Sequence, residues 1–248
     1  MLVVVSLGPG DAALMAPAAS RALKDADTVV GYKGYINLVD PAMLSGKEVF
    51  STGMMGEVER VRAAVKQAAK GRRVALVCSG DAGIYAMAGL ALEILEVEGL
   101  LDSVPFEVIP GIAAFNASAA LLGAPLMHDF ASVSLSDLLT PWETIERRLD
   151  AAAAADFVMA IYNPRSKKRR SQLPRALEII SRHREPHTPV GIVGRAFRPG
   201  QQVRTVRLDS VNPEDVDMQT TLIIGNSSTR LCGGYMLTPR GYGDKYQL

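Results

Sequence analysis

Residues 2–11 read Leu2-Val3-Val4-Val5-Ser6-Leu7-Gly8-Pro9-Gly10-Asp11, and this stretch decides the fold class. A short apolar run reads as a β-strand, and it ends abruptly in two glycines flanking a proline. In an open parallel sheet the carboxyl ends of the strands form the ligand crevice, where glycines let a ligand approach the bare backbone. Outward from this strand the same alternation continues. Strand patterns are expected at Thr28–Val30, Arg73–Cys78 and Phe106–Ile109, and helices near Pro17–Lys24, at Glu57–Lys70 and at Gly83–Glu98. In the helix from Glu57, Val58, Val61, Val65 and Ala68 recur at three or four residues, Glu57, Glu59, Arg60, Arg62 and Lys66 take the other face, and Gly71 stops it. Such alternation means a mostly parallel sheet covered by helices.

A second alternation follows the small-residue stretch Ala113–Ala124: strands at Phe157–Ile161, Val190–Val193, Gln202–Leu208 and Thr220–Ile224, and a helix around Arg175–Arg182. The alanine-rich run Leu149–Asp156 also reads as helix. The reading is therefore α/β, with an N-terminal domain over residues 1–117, a linker over 118–125 and a C-terminal domain over 126–248.

Composition narrows the class. The 248 residues are 48% hydrophobic and 21% charged, enough apolar surface for packed cores. With 27 Lys plus Arg against 26 Asp plus Glu, no global field draws the chain onto nucleic acid or an anionic membrane, so neither is an expected partner. Cys78 and Cys232 lack metal-ligand or disulfide-framework spacing and read as core thiols, which fits a reducing cytoplasm. Neither a signal peptide nor a run of about 18 apolar residues is seen, and no protein-bound metal is expected.

Three loops carry the chemistry. In Gly8-Pro9-Gly10-Asp11, Pro9 has no N–H, Asp11 repels an anion and no Lys follows, all of which argue against phosphate. Gly8, Gly10 and Ala13 satisfy G-x-G-x-x-A, but Val29-Val30-Gly31-Tyr32 stands where a dinucleotide fold needs a ribose-binding acid. A nicotinamide-dependent oxidoreductase is therefore the competing class. Gly8 itself reads either as a positive-φ turn or as a site of close ligand approach, and the small residues of the other loops favour ligand approach. In Ser79-Gly80-Asp81-Ala82-Gly83-Ile84-Tyr85, Asp81 lies between two glycines at a strand end and reads as a catalytic carboxylate facing the crevice, or else as a helix cap. On the first reading its loss would reduce turnover and leave stability unchanged. In Ile109-Pro110-Gly111-Ile112-Ala113-Ala114, small residues at a strand end give a flat group room against the backbone.

These loops, with Ile161-Tyr162-Asn163-Pro164, Gly194-Arg195, Met218-Gln219-Thr220-Thr221 and Gly225-Asn226-Ser227-Ser228-Thr229 in the second half, resemble the tetrapyrrole (corrin/porphyrin) methyltransferase family over nearly the whole chain. One departure is Ser6, where the family's G-x-G-P-G-D has its first glycine. Within the family, His128-Asp129-Phe130 and Ser134–Trp142 look most like the branch that methylates carbon 17 of a corrin precursor. The resemblance implies a class III methyltransferase fold of two α/β domains with mostly parallel mixed sheets, S-adenosyl-L-methionine in the cleft between them, and a homodimer. It implies cofactor contacts from Gly8, Pro9, Gly80, Asp81, Ala82, Gly83, Ile84, Ala113, Ala114, Tyr162, Asn163, Thr220 and Thr221. The implied reaction converts precorrin-3B to precorrin-4 with contraction of the macrocycle, or acts likewise on the cobalt-bearing counterpart of precorrin-3B. Methyl transfer from a sulfonium needs in-line placement in a dry pocket, a task suited to backbone-rich loops.

A basic run, Arg165, Lys167, Lys168, Arg169 and Arg170, reads as a solvated face or as a receptor for substrate carboxylates, for which Arg165, Arg195 and Arg198 are the candidates. Nucleic-acid contact would need aromatic interleaving, and aromatics are 6%. His128 is either a polar loop residue or an acid/base candidate for the steps beyond methylation.

Overall fold

The computed structural model describes residues 1–247, which divide into two compact units, Met1–Ala114 and the chain from Phe115 onward. The first unit runs β1 (Leu2–Ser6), α1 (Pro17–Asp25), β2 (Thr28–Tyr32), α2 (Lys33–Ile36), α3 (Pro41–Leu44), β3 (Glu48–Thr52), α4 (Glu57–Ala69), β4 (Val74–Cys78), α5 (Met87–Val97) and β5 (Phe106–Ile109). Its sheet has the order β3-β2-β4-β1-β5, and every pairing is parallel.

Strand alternation explains why β1 reads as an unbroken apolar run. Leu2 and Val4 pack with Leu76 and the inner faces of α4 and α5, whereas Val3 and Val5 pack with Val29, Val77 and Ala19 and Leu23 of α1. Each such aliphatic side chain contributes roughly 1.5–3 kcal/mol on burial, so both faces of the strand must be apolar. Here β1 and β4 are neighbours, yet the chain leaves them towards helices on opposite faces of the sheet. That divergence makes their carboxyl ends the switch point of an open α/β sheet, the place where such sheets bind ligands.

The second unit runs α6 (Ala114–Leu122), β6 (Gly123–Ala124), β7 (Phe130–Ser134), α7 (Trp142–Ala154), β8 (Val158–Tyr162), α8 (Gln172–Ser181), β9 (Pro189–Gly194), β10 (Gln202–Arg207), β11 (Thr220–Ile224), β12 (Arg230–Cys232), β13 (Tyr235–Leu237) and α9 (Tyr242–Lys245). Its main sheet, β10-β9-β11-β8-β7, is mixed: only β7–β8 is parallel, and the remaining pairs are antiparallel. Parallel pairing therefore does not dominate here, because β9, β10 and β11 are joined by connections without the crossover helix that parallel neighbours need. On one face Ile145, Leu149, Leu173 and Ile180 of α7 and α8 meet Met159, Ile161, Ile192 and Leu222; on the other, Leu122 of α6 meets Val158, Val193 and Ile223. Gly191 of β9 makes room for that helix, since a Cβ there would lie 2.2 Å from Leu122 Cδ1.

Two expectations change. Residues 118–125 are no linker: most of them complete α6 and β6, with Ser118, Leu122 and Pro125 buried, and the units divide three residues before the expected end of the first domain. Small side chains had suggested a junction, but in a helix they allow close packing. The helix expected from Gly83 begins at Met87, after a loop that includes Tyr85 at φ +53°. No helix among the described residues is long and apolar enough to cross a membrane.

Candidate functional site

At the carboxyl edge of the first sheet, three loops are fastened to one another through backbone. Gly8 donates to the Gly80 carbonyl at 3.1 Å, and Gly80 donates to the Gly8 carbonyl at 2.7 Å, an isolated antiparallel bridge within a parallel sheet. Both glycines have φ of +70°. A Cβ on Gly8 would lie 2.9 Å from the Leu14 carbonyl oxygen, so this glycine is required by the protein's own backbone; the reading by ligand approach is corrected accordingly. Gly111 is equally constrained, because a Cβ there would lie 2.5 Å from Ser6 Cβ and 2.6 Å from the Gly80 carbonyl oxygen. Gly80 differs. Its hypothetical Cβ would make only ordinary contacts, with backbone of Ala114, Ala113 and Ile112 at 3.7, 3.8 and 3.9 Å.

Asp81 completes the fastening. Oδ1 accepts from the Gly83 amide at 2.8 Å and Oδ2 from the Gly111 amide at 2.9 Å, so one carboxylate joins the second loop to the third. It caps a turn and not α5, whose first residue is Met87. The expectation that its loss spares stability is therefore corrected: with both oxygens engaged in backbone hydrogen bonds, its role here is to fix loop geometry. Ser6, buried at the end of β1, accepts from the Ala82 amide at 2.8 Å, a bond that a glycine at this position could not supply. Asp11 accepts from the Ala13 amide at 2.9 Å and caps a 3-10 turn at Ala12–Leu14. The glycine loop thus leads into that turn and not directly into α1, unlike the dinucleotide fingerprint it formally matches.

What these loops present is small and mostly uncharged. Pro9 and Ala82 are buried, Gly83 is exposed, Ala113 is buried, and Ile84 and Ala114 are half-buried. A ligand bound here is held by shape and backbone, and the loops carry no cation for a phosphate.

A second group of the expected residues meets at one end of the second unit's sheet. The parallel register pairs Tyr162 with Ser134, and the antiparallel register pairs Gly194 with Thr220; continuing the β8–β11 register beyond Leu222–Ile161 sets Thr221 beside Tyr162. Tyr162 accepts the Phe115 amide on its hydroxyl at 2.9 Å. Asn163, at φ +50°, donates from Nδ2 to Ser134 Oγ at 2.9 Å. Thr220 Oγ1 donates to Asp217 Oδ1 at 2.9 Å; Thr220 and Thr221 are both buried. Ser134 and Asp217 thus belong to the site without having been nominated. Ser134 stands within a quoted motif but Asp217 just precedes one, and neither is near in sequence to all that it holds.

Other candidates fall elsewhere or are already engaged. His128 is exposed, accepts the Asp129 amide on Nδ1 at 2.8 Å, and precedes β7. Ser134 ends β7, so His128 lies beyond the opposite end of that strand, which alone spans about 13 Å at 3.3 Å per residue, and the structure does not bring it to the Tyr162 cluster. Arg165 bonds the Pro213 carbonyl and the Glu214 carboxylate, and Arg195 pairs with Asp217 at 2.9 Å. The Arg165 fork is filled by the protein and Arg195 is engaged by Asp217 through Nη2, which argues against their assignment to substrate carboxylates. Arg198 is half-buried, its amide donating to the Arg195 carbonyl at 3.0 Å. The Asn226–Thr229 turn is structural: Asn226 Oδ1 accepts from the Ser228 amide and hydroxyl and from the Thr229 hydroxyl, while Nδ2 donates to the Asp156 carbonyl.

The chain is similar to known proteins over nearly its whole length. Residues 1–212 match the family described as Tetrapyrrole (Corrin/Porphyrin) Methylases. Among similar proteins, cobalt-factor III methyltransferase of Priestia megaterium is 47% identical across 100% of this chain, which spans 46% of that longer protein. A probable cobalt-factor III C(17)-methyltransferase of Salmonella typhimurium is 48% identical over 98% of this chain and 99% of its own length. The crystal structure of the methyltransferase CobJ is similar with a TM-score of 0.92 at 40% identity, covering 96% of this chain and 99% of that one. Uroporphyrin-III C-methyl transferase of Thermus thermophilus, solved with S-adenyl homocysteine, gives 0.66 at 25% identity, covering 90% and 91%. With the family pattern running through both units and a near-half-identical relative matched end to end, the chain belongs to the tetrapyrrole (corrin/porphyrin) methylase family.

Proposed function

We propose that the protein transfers a methyl group from S-adenosyl-L-methionine to carbon 17 of a corrin precursor in cobalamin biosynthesis. The observation that carries this reading is the Gly8–Gly80 bridge at the β1/β4 switch point, held to the third loop by Asp81. Support comes from family membership, which makes the chain a methyltransferase, and from relatives named for the C(17) reaction. The residues present suit a sulfonium cofactor: backbone and small side chains frame the loops, with no cation aimed at a phosphate.

When bound, the cofactor supplies an electrophilic methyl group. Gly80, Gly83, Ala113 and Ala114 are proposed to contact it through backbone and small surfaces, with Gly8, Asp81 and Ser6 as positioning residues that hold those surfaces still. Such preorganisation is how a reaction without a charged intermediate on the protein is accelerated, because the reacting atoms must be kept in line and water kept out. Tyr162, Asn163, Thr220 and Thr221 are proposed as further cofactor contacts from the second unit. The acceptor is proposed to be cobalt-factor III, after the named relatives, or metal-free precorrin-3B. Calorimetry with S-adenosylhomocysteine tests the cofactor half of the proposal: a folded sample that takes up no ligand at millimolar concentration rejects it.

A further inference from the structure

Three arginines are buried among the described residues, and their surroundings differ. Arg184 is enclosed by the carbonyls of Gly225, Ala153, His183 and Phe157 at 2.7–3.1 Å, with Asp156 at 3.3 Å. Arg60 bonds the Thr52 hydroxyl and the Gly53 carbonyl and has Glu57 at 3.7 Å. Arg169, 8% exposed, has much less. Its Nη2 meets the Asn163 carbonyl at 2.9 Å and the thioether of Met218 at 3.3 Å. Among the described residues its Nε is buried with no hydrogen-bond partner, and no ion pair joins it to a carboxylate, Asp137 acting on it only through space.

Burying a cation is costly unless it is paired and its N–H groups are satisfied. A guanidinium with an unsatisfied donor matches a planar carboxylate, which takes two parallel N–H bonds. The neighbours in the basic run do not compete for that role: Lys167, Lys168 and Arg170 are exposed, and Arg165 is held by Glu214. Arg169 touches Asn163, at the sheet end where Ser134, Tyr162 and Thr220 also converge. We propose that Arg169 receives a ligand carboxylate at this end of the second sheet, either a side-chain carboxylate of the tetrapyrrole or the amino-acid carboxylate of the methyl donor. This rests on the function proposed above.

The test uses the full chain as wild type, R169Q and R169K, with two probes read by binding and not by turnover. Uroporphyrin III, a polycarboxylate macrocycle, is titrated by absorbance; S-adenosylhomocysteine and its decarboxylated analogue are titrated by calorimetry. R169Q is expected to weaken one probe about tenfold or more and leave the other within about threefold, with R169K intermediate because an ammonium lacks the fork. Loss of uroporphyrin assigns the carboxylate to the macrocycle; loss of S-adenosylhomocysteine that is absent for the decarboxylated analogue assigns it to the donor. Unchanged affinity for both probes, or an equal loss that includes the decarboxylated analogue, overturns the proposal. Should R169Q not fold, R169K decides alone: affinities equal to wild type overturn it. A wild-type protein that binds S-adenosylhomocysteine but methylates no tetrapyrrole overturns the proposed function, while the donor arm still decides the fate of Arg169. A wild-type protein that binds neither probe overturns both.

Discussion

Asp81 accepts the Gly111 amide on Oδ2 at 2.9 Å across thirty residues of sequence while its other oxygen holds Gly83 at 2.8 Å. An asparagine keeps one acceptor oxygen and turns an N–H donor towards the other amide. Asp81→Asn is therefore expected to lower stability by about 1–3 kcal/mol, the cost of a half-buried donor left facing a donor. S-adenosylhomocysteine affinity is expected to fall with it, because the second and third loops lose their tie. Urea unfolding paired with calorimetry checks this; an unchanged urea midpoint would mean that water replaces the bond.

Gly8 and Gly80 separate backbone strain from steric conflict, since they share a φ of +70° but not their surroundings. Gly80→Ala should cost about 1 kcal/mol, from positive φ alone. Gly8→Ala adds a Cβ within 2.9 Å of the Leu14 carbonyl oxygen and should cost more. Apo melting temperatures are expected in the order wild type, Gly80→Ala, Gly8→Ala. The reverse order for the two variants would contradict the conformations described.

The cysteines should differ in reactivity. Burial pushes the Cys78 thiol up to about 11, so at neutral pH it is a protonated, enclosed thiol, whereas Cys232, expected as a core thiol, is exposed on the short strand β12. Ellman's reagent at pH 8 is expected to label one equivalent in the folded protein and two in denaturant. Because the folded-state value is raised, the stability that the neutral Cys78 contributes is present below the unfolded value near 9 and is lost as pH rises towards 11. A Cys78→Ala variant should lose that part of the alkaline slope.

Tyr162 holds α6 to the end of β8 by accepting the Phe115 amide. Tyr162→Phe is expected to lower stability by about 1 kcal/mol, the usual net worth of one hydrogen bond, and to raise amide exchange at Phe115. Hydrogen exchange read at that amide distinguishes this from a general loosening of the unit.

How far the chain could be read without coordinates follows from burial. β1, β4, β8 and β11 are covered on both faces and so announce themselves as apolar runs, with β11 recovered residue for residue as Thr220–Ile224. β3 (Glu48–Thr52) and β7 (Phe130–Ser134) lie at sheet edges, carry exposed positions and have no such run, and both were missed. α6 was hidden because alanine, serine and asparagine give no amphipathic stripe. In the site, the loops were legible because glycine and proline mark backbone that side chains cannot replace. The partners of Asp81, Arg165 and Arg169 were not, since each is set by contacts with residues that only the fold brings close.

The central claim is tested most directly by methyl transfer itself. The folded protein is incubated with S-adenosyl-L-methionine carrying an isotopic label in its methyl group, with cobalt-factor III and precorrin-3B offered separately, and the product is examined by NMR. The account predicts one labelled methyl on carbon 17 from at least one of the two acceptors. Label appearing at another ring carbon, or in neither acceptor from a protein that binds S-adenosylhomocysteine, would contradict it.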